Sequence, residues 1–227
     1  MSYYVFIVSS RNDPVYEAFD TIRRKQMKEL GVQYKFLLNG ALPPGYSLKD
    51  DEEYFEDASF TPGMFLKFFH ALGSLEGTFD FILRLNSSTF VDFSKVGYLL
   101  ETLPKEKCRA GYTLSCDYNT TKLFVAGTAM IFSKDVITHL QSISLEDSII
   151  SDIISLAPDD WALSILTDEY CDSIITNIND AFVFFQQDRL DFSCIKNSTI
   201  FFRVKNTDRI TNDIIVWETL YDRLKTN

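Results

Sequence analysis

In Phe79-Asp80-Phe81-Ile82-Leu83-Arg84-Leu85-Asn86-Ser87-Ser88-Thr89-Phe90-Val91, the first seven residues, to Leu85, read as a strand of nearly continuous apolar character, and the polar triplet Asn86-Ser87-Ser88 follows directly. Such a strand is expected where both faces of a sheet are covered by other elements. Upstream, Met64, Phe65, Phe68, Phe69, Ala71 and Leu72 recur at helical spacing, which predicts a buried helix over about Pro62 to Leu75. Before it come an acidic loop from Asp50 to Asp57, the turn-rich stretch Asn39 to Gly45 and a strand at Tyr34 to Leu38. A helix from about Pro14 to Leu30 starts at Asp13-Pro14, a sound N-terminal signal, and follows a first strand at 3–9. Strand, helix, strand, helix, strand is the order of an open α/β sheet.

Downstream, the pattern predicts a helix at 94–102, short strands around Ala110-Gly111-Tyr112, Leu123-Phe124-Val125 and Ala129 to Phe132, then a helix at 134–142. Pro158-Asp159-Asp160 opens another helix to about 168. Strand-like runs at 173–175, 181–185 and 199–204 precede an amphipathic helix from about Asn212 to Leu224. No repeat or low-complexity segment divides the chain, so residues 1–227 read as a single domain.

Composition narrows the function classes. With 227 residues and 46% hydrophobic content the chain can bury a continuous core. The formal charge of −10, with no basic run, argues against nucleic acid and against an anionic membrane surface. The N-terminus lacks a positively charged leader, and no stretch of about 18 apolar residues suggests a membrane span; a cytoplasmic enzyme is expected, in host cytoplasm if viral. Cys108, Cys116, Cys171 and Cys194 lack zinc-site spacing, and His70 and His139 are too far apart in sequence to suggest a metal cluster. Sequons at Asn86, Asn119 and Asn197 matter only in a secretory compartment and are read as unmodified. Gly-x-Gly-x-x-Gly, the Walker lysine loop and the Gly-x-Ser-x-Gly elbow are all missing from the sequence.

Ligands of open parallel sheets collect beyond the carboxyl ends of the strands. The residues to examine are therefore Ser9 to Asp13 after the first strand, and Arg84, Asn86, Ser87 and Ser88 at the third. Ser9 to Asp13 fit an ordinary turn and helix cap as well as a ligand loop, in which Arg11 would meet a base or phosphate. Asp159 and Asp160, adjacent at a helix start, point about 100° apart and will rarely share one role.

The 79–91 segment resembles the stretch of β-1,3-type glycosyltransferases that ends in an acidic triplet and Thr-Phe-Val. It is also similar to smaller bacterial and large-virus, chlorovirus-like transferases in which Arg-x-Asn-x-Ser replaces the acidic triplet, here Arg84-Leu85-Asn86-Ser87-Ser88. Three more segments match in order: the acidic loop with Pro62 to Lys67, Phe124 to Asp135 with its Gly127, and Asp159-Asp160-Trp161-Ala162. The resemblance covers roughly residues 3 to 206.

It implies an α/β fold of the GT-A type: one Rossmann-like domain with a mixed, mostly parallel central sheet. Residues 1–93 would form a nucleotide-sugar-binding half and 94–227 an acceptor-binding half. The implied activity is transfer of a hexose or pentose from a nucleoside-diphosphate sugar, a UDP-sugar by preference, to a hydroxyl of a glycan or glycoprotein, with inversion. Ser9, Arg11, Lys67, Arg84, Asn86, Ser88, Arg203 and Lys205 are the implied donor and diphosphate residues; Gly127 and Thr128 would border the acceptor. Asp160 is favoured as base, with Asp159 next. The implied Mn²⁺ or Mg²⁺ is doubtful, since Asn86 and Ser88 are neutral donors and hard cations prefer carboxylates. The alternative is a noncatalytic nucleotide- or glycan-binding module that has kept the crevice.

Overall fold

A computed structural model of the chain describes residues 1–56, 63–118, 120–188 and 190–226. Pro62, Asp57 and the sequon residue Asn119 lie outside the described residues. The expected alternation is present: β1 (Tyr3–Val8), α1 (Val15–Glu29), β2 (Gln33–Leu38), β3 (Glu52–Tyr54), α2 (Gly63–Gly73), β4 (Phe81–Asn86) and β5 (Thr89–Val91). There follow α3 (Phe93–Thr102), β6 (Cys108–Tyr118), β7 (Thr120–Ser133), α4 (Lys134–Ser142), α5 (Ser148–Leu156), α6 (Asp159–Tyr170), β8 (Ile174–Asn177), β9 (Phe182–Gln186), β10 (Phe201–Lys205) and α7 (Ile214–Thr226).

Seven strands form the main sheet in the order β3-β2-β1-β4-β7-β6-β8. The β1, β2, β3 and β4 pairings are parallel, β7 alone runs antiparallel to both its neighbours, and β8 lies parallel to β6. This is the mixed, mostly parallel sheet that the sequence implies. On one face Phe6, Ile82, Met130 and Phe132 pack against α2, α4, α5 and α6. On the other, Ile7, Leu83, Leu85 and Ile131 pack against α3 and the Ala181–Phe182 segment. A β4 covered on both sides explains its unbroken apolar run.

A second sheet, β5-β10-β9, carries a third core with α1 and α7. Trp217 is fully buried there, stacked on Phe19 at 4.3 Å, edge-on to Phe90 at 5.1 Å and covered by the Arg23 guanidinium at 4.8 Å. This helix folds the C-terminal segment back over the first one.

Three elements escaped the sequence pattern. β3 lies inside the acidic loop, where two glutamates precede one tyrosine and no alternation is visible. β5, at Thr89–Val91, follows the polar triplet and is three residues long, too short to show an alternation. α5 is rich in β-branched isoleucine, yet Ile150 and Ile154 bury one helical face, and Asp147 caps it by accepting the N–H groups of Ile149 and Ile150. The short strands expected at 123–125 and 129–132 are one continuous β7, paired with β6 through an irregularity between Gly111 and Thr113. No helix among the described residues is long and apolar enough to cross a membrane.

Replacing Trp217 by alanine removes the central side chain of the third core. The expected loss is about 3–5 kcal/mol of unfolding free energy, read from the shift of the denaturant midpoint.

Candidate functional site

The strand order reverses at β1: the chain first builds outward through β2 and β3, then returns to place β4 on the other side of β1. Loops diverge at such a point and leave a crevice beyond the strand ends. A cavity of about 350 Å³ occupies this position, lined by Ser9 and Ser10 after β1, Asn39 after β2 and Asn86 and Ser87 at the end of β4. Lys67 from α2, Asp159 from α6, and Arg203 and Lys205 from β10 complete its polar wall. A larger cavity of about 850 Å³ lies beside α3, away from this gathering of charge.

Lys67 is nearly completely buried, and its Nζ donates to the carbonyl of Ser9 at 2.6 Å and to Asn39 Oδ1 at 2.8 Å. Burial, reinforced by the charge of Arg84, pulls its pKa down to about 7. The same ammonium would regain full charge beside an anion. Arg203 is held by Ser88 Oγ, and burial lowers its pKa as well. Ser9 gives its hydroxyl to Asp20 at 2.9 Å, so it offers the cavity chiefly its backbone.

Arg84 has a different place from the one expected. Its side chain is fully buried, donating to the carbonyl of Gly127 at 2.6 Å and pairing with the Asp159 carboxylate. It positions Asp159 and does not line the cavity itself. Arg11 is likewise turned away, with its guanidinium on Asp20 at 2.8 Å and near Glu52 and Tyr46. Burial opposes its charge, but Asp20 and Tyr46 together more than offset this and raise its pKa. Ser88, 1% exposed, meets Arg203 and not open space.

The aspartate pair divides as the helical geometry requires. Asp160 accepts the Gly127 N–H at 2.9 Å through one oxygen and the Trp161 N–H at 2.9 Å through the other. Asp159 lines the cavity. Gly127 is therefore gripped at both backbone polar atoms, and a Cβ on it would lie 2.9 Å from Arg84 Nη1 and 3.3 Å from Asp160 Cβ. Thr128 is buried, and its carbonyl accepts the Thr89 hydroxyl at 2.7 Å.

Sequence reasoning missed Asn39 and Tyr16 as cavity residues. Asn39 follows β2 directly, so the strand-end rule that selected Ser9 and Asn86 applied equally to it. Asp13 lies within the Ser9 to Asp13 stretch that the strand-end rule selects; its carboxylate accepts the Val15 N–H at 3.2 Å, and it also pairs with Arg209 from the far end of the chain.

The donor set does not suit a divalent cation. Among the described residues no three His, Cys, Asp or Glu side chains converge. The cavity's carboxylates, Asp13 and Asp159, are each bound to an arginine, and Ser88 Oγ already faces the Arg203 guanidinium.

The fold is already represented among solved structures. A glycosyltransferase involved in the glycosylation of the major capsid of PBCV-1 superposes with a TM-score of 0.54 at 10% identity, covering 98% of this chain and 99% of that one. The galactosyltransferase LgtC, solved in complex with donor and acceptor sugar analogues, does so with a TM-score of 0.54 at 11% identity, covering 99% of this chain and 97% of that one. The similarity is one of fold. No protein-family model and no curated protein sequence matches the chain.

Unfolded lysine keeps its proton up to about 10.5, whereas folded Lys67 releases it near about 7. Between those values the unfolded chain binds more protons, so stability rises with pH across that window. From about pH 7 to about pH 9, the wild type should gain unfolding free energy relative to Lys67→Met, as measured by denaturant titration at each pH. Parallel curves would contradict the buried, depressed state of Lys67.

Proposed function

We propose that this protein is a glycosyltransferase that moves one sugar from a nucleoside-diphosphate donor, a UDP-sugar by preference, to a hydroxyl of a glycan. The observation that carries the reading is the cavity at the switch point, where Lys67, Arg203 and Lys205 converge beside the Asp159 carboxylate. Cations so placed suit the two phosphates of the donor, and charge-assisted contacts to phosphate oxygens are among the stronger hydrogen bonds. They also stabilise the negative charge that builds on the departing diphosphate. Asn39, Asn86 and Ser87 supply neutral polar contacts around it. The fold shared with two glycosyltransferases supports the same reading.

In the direct route, the acceptor oxygen bonds to the anomeric carbon as the bond from that carbon to the diphosphate oxygen breaks. The acceptor proton passes to Asp159, the nucleoside diphosphate leaves with the electron pair, and the configuration inverts. Asp159 replaces Asp160 in this role because both Asp160 oxygens hold backbone N–H groups. One Asp159 oxygen is already engaged by Arg84, and this favours a second route. There the departing phosphate oxygen takes the acceptor proton on the same face of the sugar, and the configuration is retained. The anomeric proton coupling in the product's NMR spectrum separates the two.

Cations in place of carboxylates make the transfer independent of added metal. Chelation with EDTA should leave the rate unchanged, and a requirement for Mn²⁺ or Mg²⁺ would contradict this assignment of the diphosphate site. On the direct route, Asp159→Asn should lower turnover by about 10²–10⁴ while UDP still raises the melting temperature; at 100 times its dissociation constant a ligand adds about 2.7 kcal/mol. A chain that UDP stabilises but that transfers no sugar from any nucleotide donor would be a binding module instead.

A further inference from the structure

The cavity beside α3, at about 850 Å³, is larger than the cleft at the switch point, and the transfer reaction gives it no part. One wall is the α3 face formed by Lys95, Tyr98, Leu99 and Thr102, which recur at the i, i+3, i+4, i+7 spacing of a single helix face. The facing wall comes from the end of β8, the turn that follows it and the segment before β10, with Asn177, Asn179 and Asn197 among its side chains.

Its chemistry is neither that of an anion site nor that of a plain apolar groove. Lys95, the lone cation among the lining residues, is paired with Asp92 at 3.0 Å. Tyr98 is 75% exposed, an uncommon state for a large aromatic side chain. The amides are fixed in place: Asn179 Oδ1 accepts the Thr113 N–H at 2.7 Å, and Asn177 Oδ1 accepts the Asn179 N–H at 2.8 Å. Asn177 and Asn179 both line the groove, so its polar wall carries amide side chains that can donate as well as accept. The Asp180 carboxylate adds an exposed acceptor.

An exposed aromatic face ringed by oriented amides and a carboxylate matches a pyranose, whose C–H groups form an apolar face bounded by hydroxyls that both donate and accept. We infer that this groove is a second binding site, for a neutral oligosaccharide, separate from the cleft where transfer is proposed. Its position gives it a use. Ile200, at the start of β10, borders the groove, whereas Arg203 and Lys205 on the same strand border the cleft. At about 3.3 Å per residue, the two sites are roughly 10–17 Å apart along β10. A short oligosaccharide spans that interval, so the groove would anchor the acceptor chain some units from its reacting end. That use rests on the transfer reading; the binding itself does not.

The test is an array of immobilised neutral and sialylated oligosaccharides, probed with the full chain in saturating UDP. Wild type and Asp159→Asn should both retain neutral oligosaccharides, Tyr98→Ala should weaken retention about tenfold, and Tyr98→Phe should keep most of it. Because Tyr98 is largely exposed, the variants should fold normally, checked by an unchanged melting temperature. The inference is overturned if the wild type retains no neutral oligosaccharide, or if retention survives Tyr98→Ala. UDP binding by calorimetry reports on the cleft alone, so a failed array with intact UDP binding removes the groove and leaves the transfer reading standing.

Discussion

A guanidinium with no exposed surface has to find its partners inside the protein, because an uncompensated buried charge costs several kcal/mol. Arg84 meets that requirement with the Gly127 carbonyl and the Asp159 carboxylate, one from β7 and the other from the start of α6. Asp160 then closes the loop by accepting the Gly127 N–H. Three segments separated in sequence are thereby locked at the end of β4, and the orientation of Asp159 toward the cavity follows from that lock. Gly127 is required for a steric reason, since any Cβ would collide with the Arg84 side chain.

The first half of the fold was legible because its strands are buried on both faces and its helices carry clear apolar stripes. β4 shows this best: the run Phe81-Ile82-Leu83 puts apolar side chains on both faces, and Phe81 to Leu85 are all buried, as the reading of a covered central strand requires. The second half was harder because its periodicities conflict with its structure. α5 uses isoleucine where helices more often use leucine, and the β6–β7 hairpin is longer than its interrupted apolar runs suggest. In both cases tertiary contacts override local preference.

The site was legible in location more than in detail. The strand-end rule selects Ser9, Asn86 and, applied evenly, Asn39, all on the cavity wall. It cannot tell an arginine that reaches a ligand from one that meets a carboxylate, since both need the same residue at the same turn. Arg11 and Arg84 were selected as ligand contacts at strand ends, and only the positions of Asp20 and Asp159 show that their guanidinium groups are engaged inside the protein. Likewise, neighbouring Asp159 and Asp160 differ only in which of them meets the Gly127 amide, a contact 33 residues distant.

The overall charge of −10 conceals the most consequential feature of the cleft. Acidic residues dominate the chain as a whole, while Lys67, Arg203 and Lys205 gather around one cavity of about 350 Å³. Lys67 and Arg203 sit there with their charged forms disfavoured by burial. On the proposed reading an arriving diphosphate would relieve this cost, so part of its binding energy would come from ending an unfavourable arrangement built into the site. The same circumstance makes the cleft selective. A neutral ligand would leave the lysine and the arginine as poorly solvated as before, and a cation would add to their repulsion. Diphosphate recognition can thus rest on residues that look structural in the sequence: one lysine in an aromatic helix and one arginine in a short strand near the C-terminus.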